Sequence, residues 1–105
     1  MTISQLRART DYWRNRLNLK EWDIRVEWGG KKEMTDCVGC CIWSAEELCA
    51  IVKIKRGEKE QEPTLVHELL HLVFQGHSNY DGNYDVHLER ALNKTAAALC
   101  AKDAE

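Results

Sequence analysis

Residues Thr64 to Gly76, Thr-Leu-Val-His-Glu-Leu-Leu-His-Leu-Val-Phe-Gln-Gly, constrain this chain more than any other stretch. His67, Glu68 and His71 form the pattern HExxH, and Leu65, Val66, Leu69, Leu70, Leu72, Val73 and Phe74 surround them. A helix apolar nearly all round has to lie at the centre of a domain. Pro63 opens it and Gly76 closes it. A four-residue step turns an α-helix by about 400° and climbs about 6 Å, so the two imidazoles lie one above the other and can grip one ion. Glu68 is rotated about 100° from His67, beside that ion, where it suits a general base. The bland alternative is a core helix with two hydrogen-bonded histidines and an exposed glutamate. Burying those groups without partners is costly, which favours the metal reading.

The chain has 105 residues, enough for one small domain spanning 1–105. A formal net charge of −2, with both signs interspersed, leaves no basic footprint for nucleic acid. Membrane contact is equally unsupported, because the longest apolar run falls far short of a spanning helix. Met1 to Arg16 mixes charged and polar residues where a signal peptide needs an apolar segment, so a cytoplasmic location is expected. Cys37, Cys40, Cys41, Cys49 and Cys100 make an odd count, which fits a reducing compartment. A separate metal or redox site at Cys37, Cys40 and Cys41 is disfavoured. Adjacent cysteines on a strand face opposite ways, and no second CxxC follows. Buried, inert thiols are expected instead.

In chain order, Ser4 to Leu17 reads as an amphipathic helix capped by Ser4, with Leu6, Tyr12, Trp13 and Leu17 inward and Arg7, Arg9, Arg14 and Arg16 solvated. Trp22 to Trp28 alternates strictly, with Trp22, Ile24, Val26 and Trp28 on one face and Asp23, Arg25 and Glu27 on the other, and is the clearest strand. Gly29-Gly30 ends it. Val38 to Trp43 and Leu48 to Lys55 are two further strands, joined by a turn at Ser44 to Glu47. Consecutive strands with short links suggest an antiparallel meander. Gly57 to Glu62 is a charged connector. His77 to Asn83, with its Asp81-Gly82 turn signal, reads as a surface loop. Asn83 or Asp85 then caps a last helix to about Cys100, with Leu88, Leu92, Thr95, Ala96 and Leu99 inward, and Lys102 to Glu105 frays.

Catalytic zinc usually has three protein ligands and an open place for water. Two residues compete for the third position. His77 stands ten residues after His67, but on a continued helix it lies about 15 Å away along the axis. It reaches the ion only if Gly76 breaks the helix sharply. Glu89 lies beside the apolar positions Leu88 and Leu92, where an unpaired carboxylate would be costly. That burial argument favours Glu89, with Asn93 one turn on as an acceptor for a ring N–H.

HELLH at 67–71, followed eighteen residues after His71 by Glu89 in Leu-Glu-Arg-Ala-Leu-Asn, resembles the gluzincin metallopeptidases, in particular their minimal single-domain forms, the minigluzincins of prokaryotes and phages. The resemblance implies an α+β, zincin-like fold: an N-terminal helix, a small three-stranded antiparallel sheet, the HExxH helix and a C-terminal glutamate helix. It implies one catalytic zinc ion on His67, His71 and Glu89, with Glu68 as general base, acting on a protein or peptide substrate. An edge strand of the sheet would pair with extended substrate, and Leu48 to Lys55 is the candidate. The chain departs from the larger relatives in having Asn93 where they have aspartate, and in lacking their large C-terminal subdomain. Tyr80, Tyr84 and His77 are candidates to bind the oxyanion. The competing reading is a zinc-binding regulatory or protein-interaction module with little or no proteolysis, since so small a chain offers a limited cleft.

Overall fold

The computed structural model describes residues 1–74 and 86–104. The expected close of the metal helix at Gly76, the Asp81-Gly82 turn and the caps at Asn83 or Asp85 lie outside them. Three helices and a three-stranded sheet make an α+β arrangement.

Helix α1 runs Ile3–Arg16 and is capped by Thr2, two residues before the expected Ser4. The Gln5 N–H donates to the Thr2 hydroxyl (3.1 Å) and the Thr2 N–H donates to the Gln5 side chain (2.8 Å). This reciprocal pair satisfies two amides that a helix start leaves over. Leu6, Thr10 and Trp13 are buried along it. Asn18 then takes a left-handed conformation (φ 58°) and stops the helix.

The sheet departs from the expected meander. Strands β1 (Asp23–Gly29), β2 (Gly39–Ser44) and β3 (Cys49–Lys55) lie in the order β1-β3-β2. β2 runs antiparallel to β3, with Ile42 opposite Ile51, but β1 runs parallel to β3, with Val26 opposite Val52. Two physical causes act together. β3 supplies Ala50, Val52 and Ile54 to the core, each no more than 2% exposed, and so takes the covered central place. The connection at residues 30–38 is longer than a tight hairpin needs, so it can carry the chain past β3 to its far side. β3 is therefore not the edge strand that the substrate reading required; among the described residues the edges are β1 and β2.

Helix α2 (Gln61–Val73) crosses the apolar face of the sheet with Thr64 to Leu70 and Leu72 buried. It begins three residues before Thr64, and Pro63 falls in its first turn, where a missing N–H costs nothing. Helix α3 (Val86–Asp103) packs on α2 through Leu92 and Ala96, with Leu88, Leu99 and Cys100 half-buried. Thr95, expected inward, is exposed and donates its hydroxyl to the Ala91 carbonyl (2.7 Å). The end of α3 does not fray as far as Asp103, because Asp103 accepts from Arg9 Nη2 (2.7 Å) and from the Tyr12 hydroxyl. Arg9 also donates to Glu62, so one guanidinium ties α1, α2 and α3 together. Arg14 donates to the Trp22 carbonyl (2.9 Å). Two of the four arginines assigned to solvent are thus structural.

Candidate metal centre

α2 places His67 and His71 one turn apart, with ring centroids 5.1 Å from each other and planes at 68°. Both sit over the core, where leucine packing on either side fixes the helix and with it the Cα positions of the two rings. From the other side α3 brings in Glu89. Its carboxylate straddles the pair, with Oε2 2.8 Å from His67 Nε2 and Oε1 3.1 Å from His71 Nε2. Among the described residues His67, His71 and Glu89 form a group whose donor atoms lie within 4.8 Å of one another, and this group could hold a metal ion.

The donor set fits such an ion. A tetrahedral ion about 2.1 Å from each donor keeps donors roughly 3.4 Å apart; the two histidine–glutamate separations are shorter than this, and all three donor atoms lie within 4.8 Å of one another. Small side-chain rotations would accommodate it. Burial lowers the His71 pKa, a trend that the Glu89 carboxylate opposes and His67 reinforces, so the neutral, ligating imidazole is favoured.

Glu68 lies beside the group, with Oε2 3.9 Å from His67 Nε2, and is 7% exposed. Burial first, then the neighbouring Glu89 carboxylate, pushes its pKa up to about 8. A nearby cation would act in the opposite direction.

β2 closes the site. A Cβ on Gly39 would stand 2.6 Å from Thr64 Cγ2, 3.1 Å from Glu68 Oε2 and 3.3 Å from Glu68 Cγ. Only glycine lets the strand approach α2 this closely. Trp43, further along β2, stacks its ring on His71 at 6.3 Å between centroids and 20° between planes. A cavity of about 630 Å³ opens over the group, walled by Thr35 to Gly39, by Thr64, His67, Glu68 and His71 of α2, and by Asn93.

Some expectations about individual residues change. The buried Nδ1 of His67 has no hydrogen-bond partner among the described residues, so Asn93 does not orient that ring; it lines the cavity wall one turn beyond Glu89. His77, the rival third ligand, lies outside the described residues, as do Tyr80 and Tyr84. The cysteines are all free and none is fully buried; Cys37 is exposed. Burial raises the Cys40 thiol, and pushes Cys41 to about 12 and Cys100 to about 11, which leaves these three unreactive at neutral pH. The trio Cys37, Cys40 and Cys41 does not gather into a metal-holding group. Sequence reading missed Gly39 and Trp43. A lone glycine inside a strand pattern signals close backbone approach, so Gly39 was open to detection; nothing in the sequence marks Trp43.

Among the described residues no helix is long and apolar enough to cross a membrane. No family model matches the chain, and no curated protein or solved structure shows significant similarity to it.

Proposed function

We propose that this domain is a zinc-dependent metallopeptidase of the minimal gluzincin type, cutting peptide bonds in protein or peptide substrates. The observation that carries the reading is the convergence of the His67 and His71 Nε2 atoms on the two oxygens of Glu89, with the Glu68 carboxylate alongside and open space above. Two imidazoles and one carboxylate are a donor set used by catalytic zinc. When bound, zinc would supply a Lewis acid that polarises the scissile carbonyl and brings the pKa of its water to about 7. His67, His71 and Glu89 would hold it. Glu68 takes the proton from the attacking water and passes it to the leaving amine. Its buried position keeps that proton from bulk solvent. β2 replaces β3 as the strand that pairs with extended substrate, because it is the sheet edge whose first residue, Gly39, lines the cavity.

A second reading is a metal-binding module without proteolysis, since a chain of 105 residues offers a limited substrate cleft. Metal analysis and a peptide-cleavage assay with and without chelator separate the two readings. The peptidase reading expects stoichiometric zinc, chelator-sensitive cleavage, and a Glu68→Gln variant that retains zinc while losing about 10²-fold or more in rate. Full zinc loading with no cleavage of any unfolded protein or peptide would favour the binding module.

A further inference from the structure

The sheet has a second edge, β1, at the opposite end of the strand order from β2. The Asp23 N–H donates to the Leu48 carbonyl (2.9 Å), and the Gly29 carbonyl accepts from the Arg56 N–H (3.0 Å). Odd-numbered residues of β1 therefore turn their backbone groups to β3, and those of Ile24, Val26 and Trp28 point out of the sheet. Natural edges are usually blunted by charged side chains, lysine above all, by proline or by a bulge. β1, Asp-Ile-Arg-Val-Glu-Trp-Gly, has no proline, lysine or bulge and is paired with β3 in unbroken register over 7 residues. Its charges, Asp23, Arg25 and Glu27, are of both signs and can pair with a second copy. Beside it Arg7, Thr10 and Asp11 of α1 form one wall of a groove of about 420 Å³ along Ile24 to Glu27.

We infer that β1 is a self-pairing edge, joining two copies of this chain antiparallel about a two-fold axis through Val26. The register follows from charge together with the length of strand that pairs. Residues facing one another across a sheet share a face, so across this axis odd positions meet odd and even meet even. An axis at Arg25 sets Arg25 against itself and Asp23 against Glu27, and an axis at Glu27 sets Glu27 against itself. Both place like charges in contact. An axis at Val26, the midpoint of the strand, uses its whole length. It sets exposed Arg25 against Glu27 of the second copy, twice over by symmetry, and lays half-buried Ile24 against Trp28 on the core side. Val26 then exchanges backbone hydrogen bonds with its own mate. Pairing across a two-fold axis is the commonest way soluble proteins assemble.

The test is the mass of the full chain in solution by light scattering across a concentration series, a readout independent of metal or catalysis. The wild type rises from 12.2 kDa toward twice that value. Arg25→Glu and Glu27→Arg each stay at the monomer mass, with circular dichroism showing that they are folded. Mixed in equal amounts, the two recover the dimer, because every cross-strand contact is again between opposite charges. The exchanged double variant R25E/E27R dimerises like the wild type. A wild type that stays at 12.2 kDa throughout, a dimer that both single variants leave intact, or failure of the mixture and the double variant to reassociate would each overturn the inference.

Discussion

Glu68 is bounded by three neighbours: His67 at 3.9 Å, the Glu89 carboxylate, whose like charge raises its pKa, and the bare backbone of Gly39, whose missing Cβ would sit 3.1 Å from Oε2. Gly39 is thus a positioning residue for the carboxylate in the proposed reaction. Gly39→Ala is expected to leave zinc binding intact, since the Cβ meets Thr64 and Glu68 but none of the three donors. Cleavage should fall about 10²-fold, the scale on which a misplacement of about 1 Å acts. Thr64→Ser removes the methyl group at 2.6 Å, so the double variant separates packing from catalysis. If Glu68 displacement is the cause, G39A/T64S remains impaired in kcat with KM little changed. Full recovery would assign the effect to helix packing.

At the scale of elements, the three helices are locked by one ionic knot. Arg9 bridges Glu62 and Asp103, and Tyr12 donates to Asp103 from the next turn of α1. The Tyr12 hydroxyl first, then Arg9, holds the Asp103 pKa below its ordinary value, against the opposing effect of partial burial. A depressed carboxylate pKa stabilises the fold fully above the unfolded-state value, about 3.9, and that stabilisation is lost as pH falls through the lower folded-state value. The difference in Tm between wild type and Asp103→Asn should therefore be complete at neutral pH and close progressively below about pH 4. A difference that persists unchanged into acid would show that the carboxylate charge is not what anchors α3. Because α3 carries Glu89, this anchor also sets where the third donor stands.

Across the whole molecule the candidate centre joins α2 to α3, so a bound ion ties two helices that otherwise meet through Leu92 and Ala96 on one side of the core. An ion that binds only the folded chain stabilises it by about 2.7 kcal/mol at one hundred times its dissociation constant. For a domain of this size that corresponds to a rise in Tm of roughly 10–20 °C. Differential scanning calorimetry with added zinc, then with chelator, should show the rise and its reversal, and Glu89→Ala or His71→Ala should abolish it. An equal rise in those variants would place the ion elsewhere.

Local pattern alone revealed the HExxH helix, the alternation of Trp22 to Trp28, the α+β class and the two residues competing for the third position. Each of these depends on a period of 3.6 or 2, or on the cost of burying one charged side chain, and such costs are set by neighbours in the chain. Strand order, the contacts of Arg9 and the approach of Gly39 to Glu68 depend on residues far apart in sequence. The parallel pairing of β1 with β3 goes with the central place of β3, whose Ala50, Val52 and Ile54 are buried in the core beneath the helices. The meeting of Glu89 with His67 and His71 was decided by how α3 packs on α2, because a carboxylate beside leucines states a need for a partner without saying which partner folding will deliver.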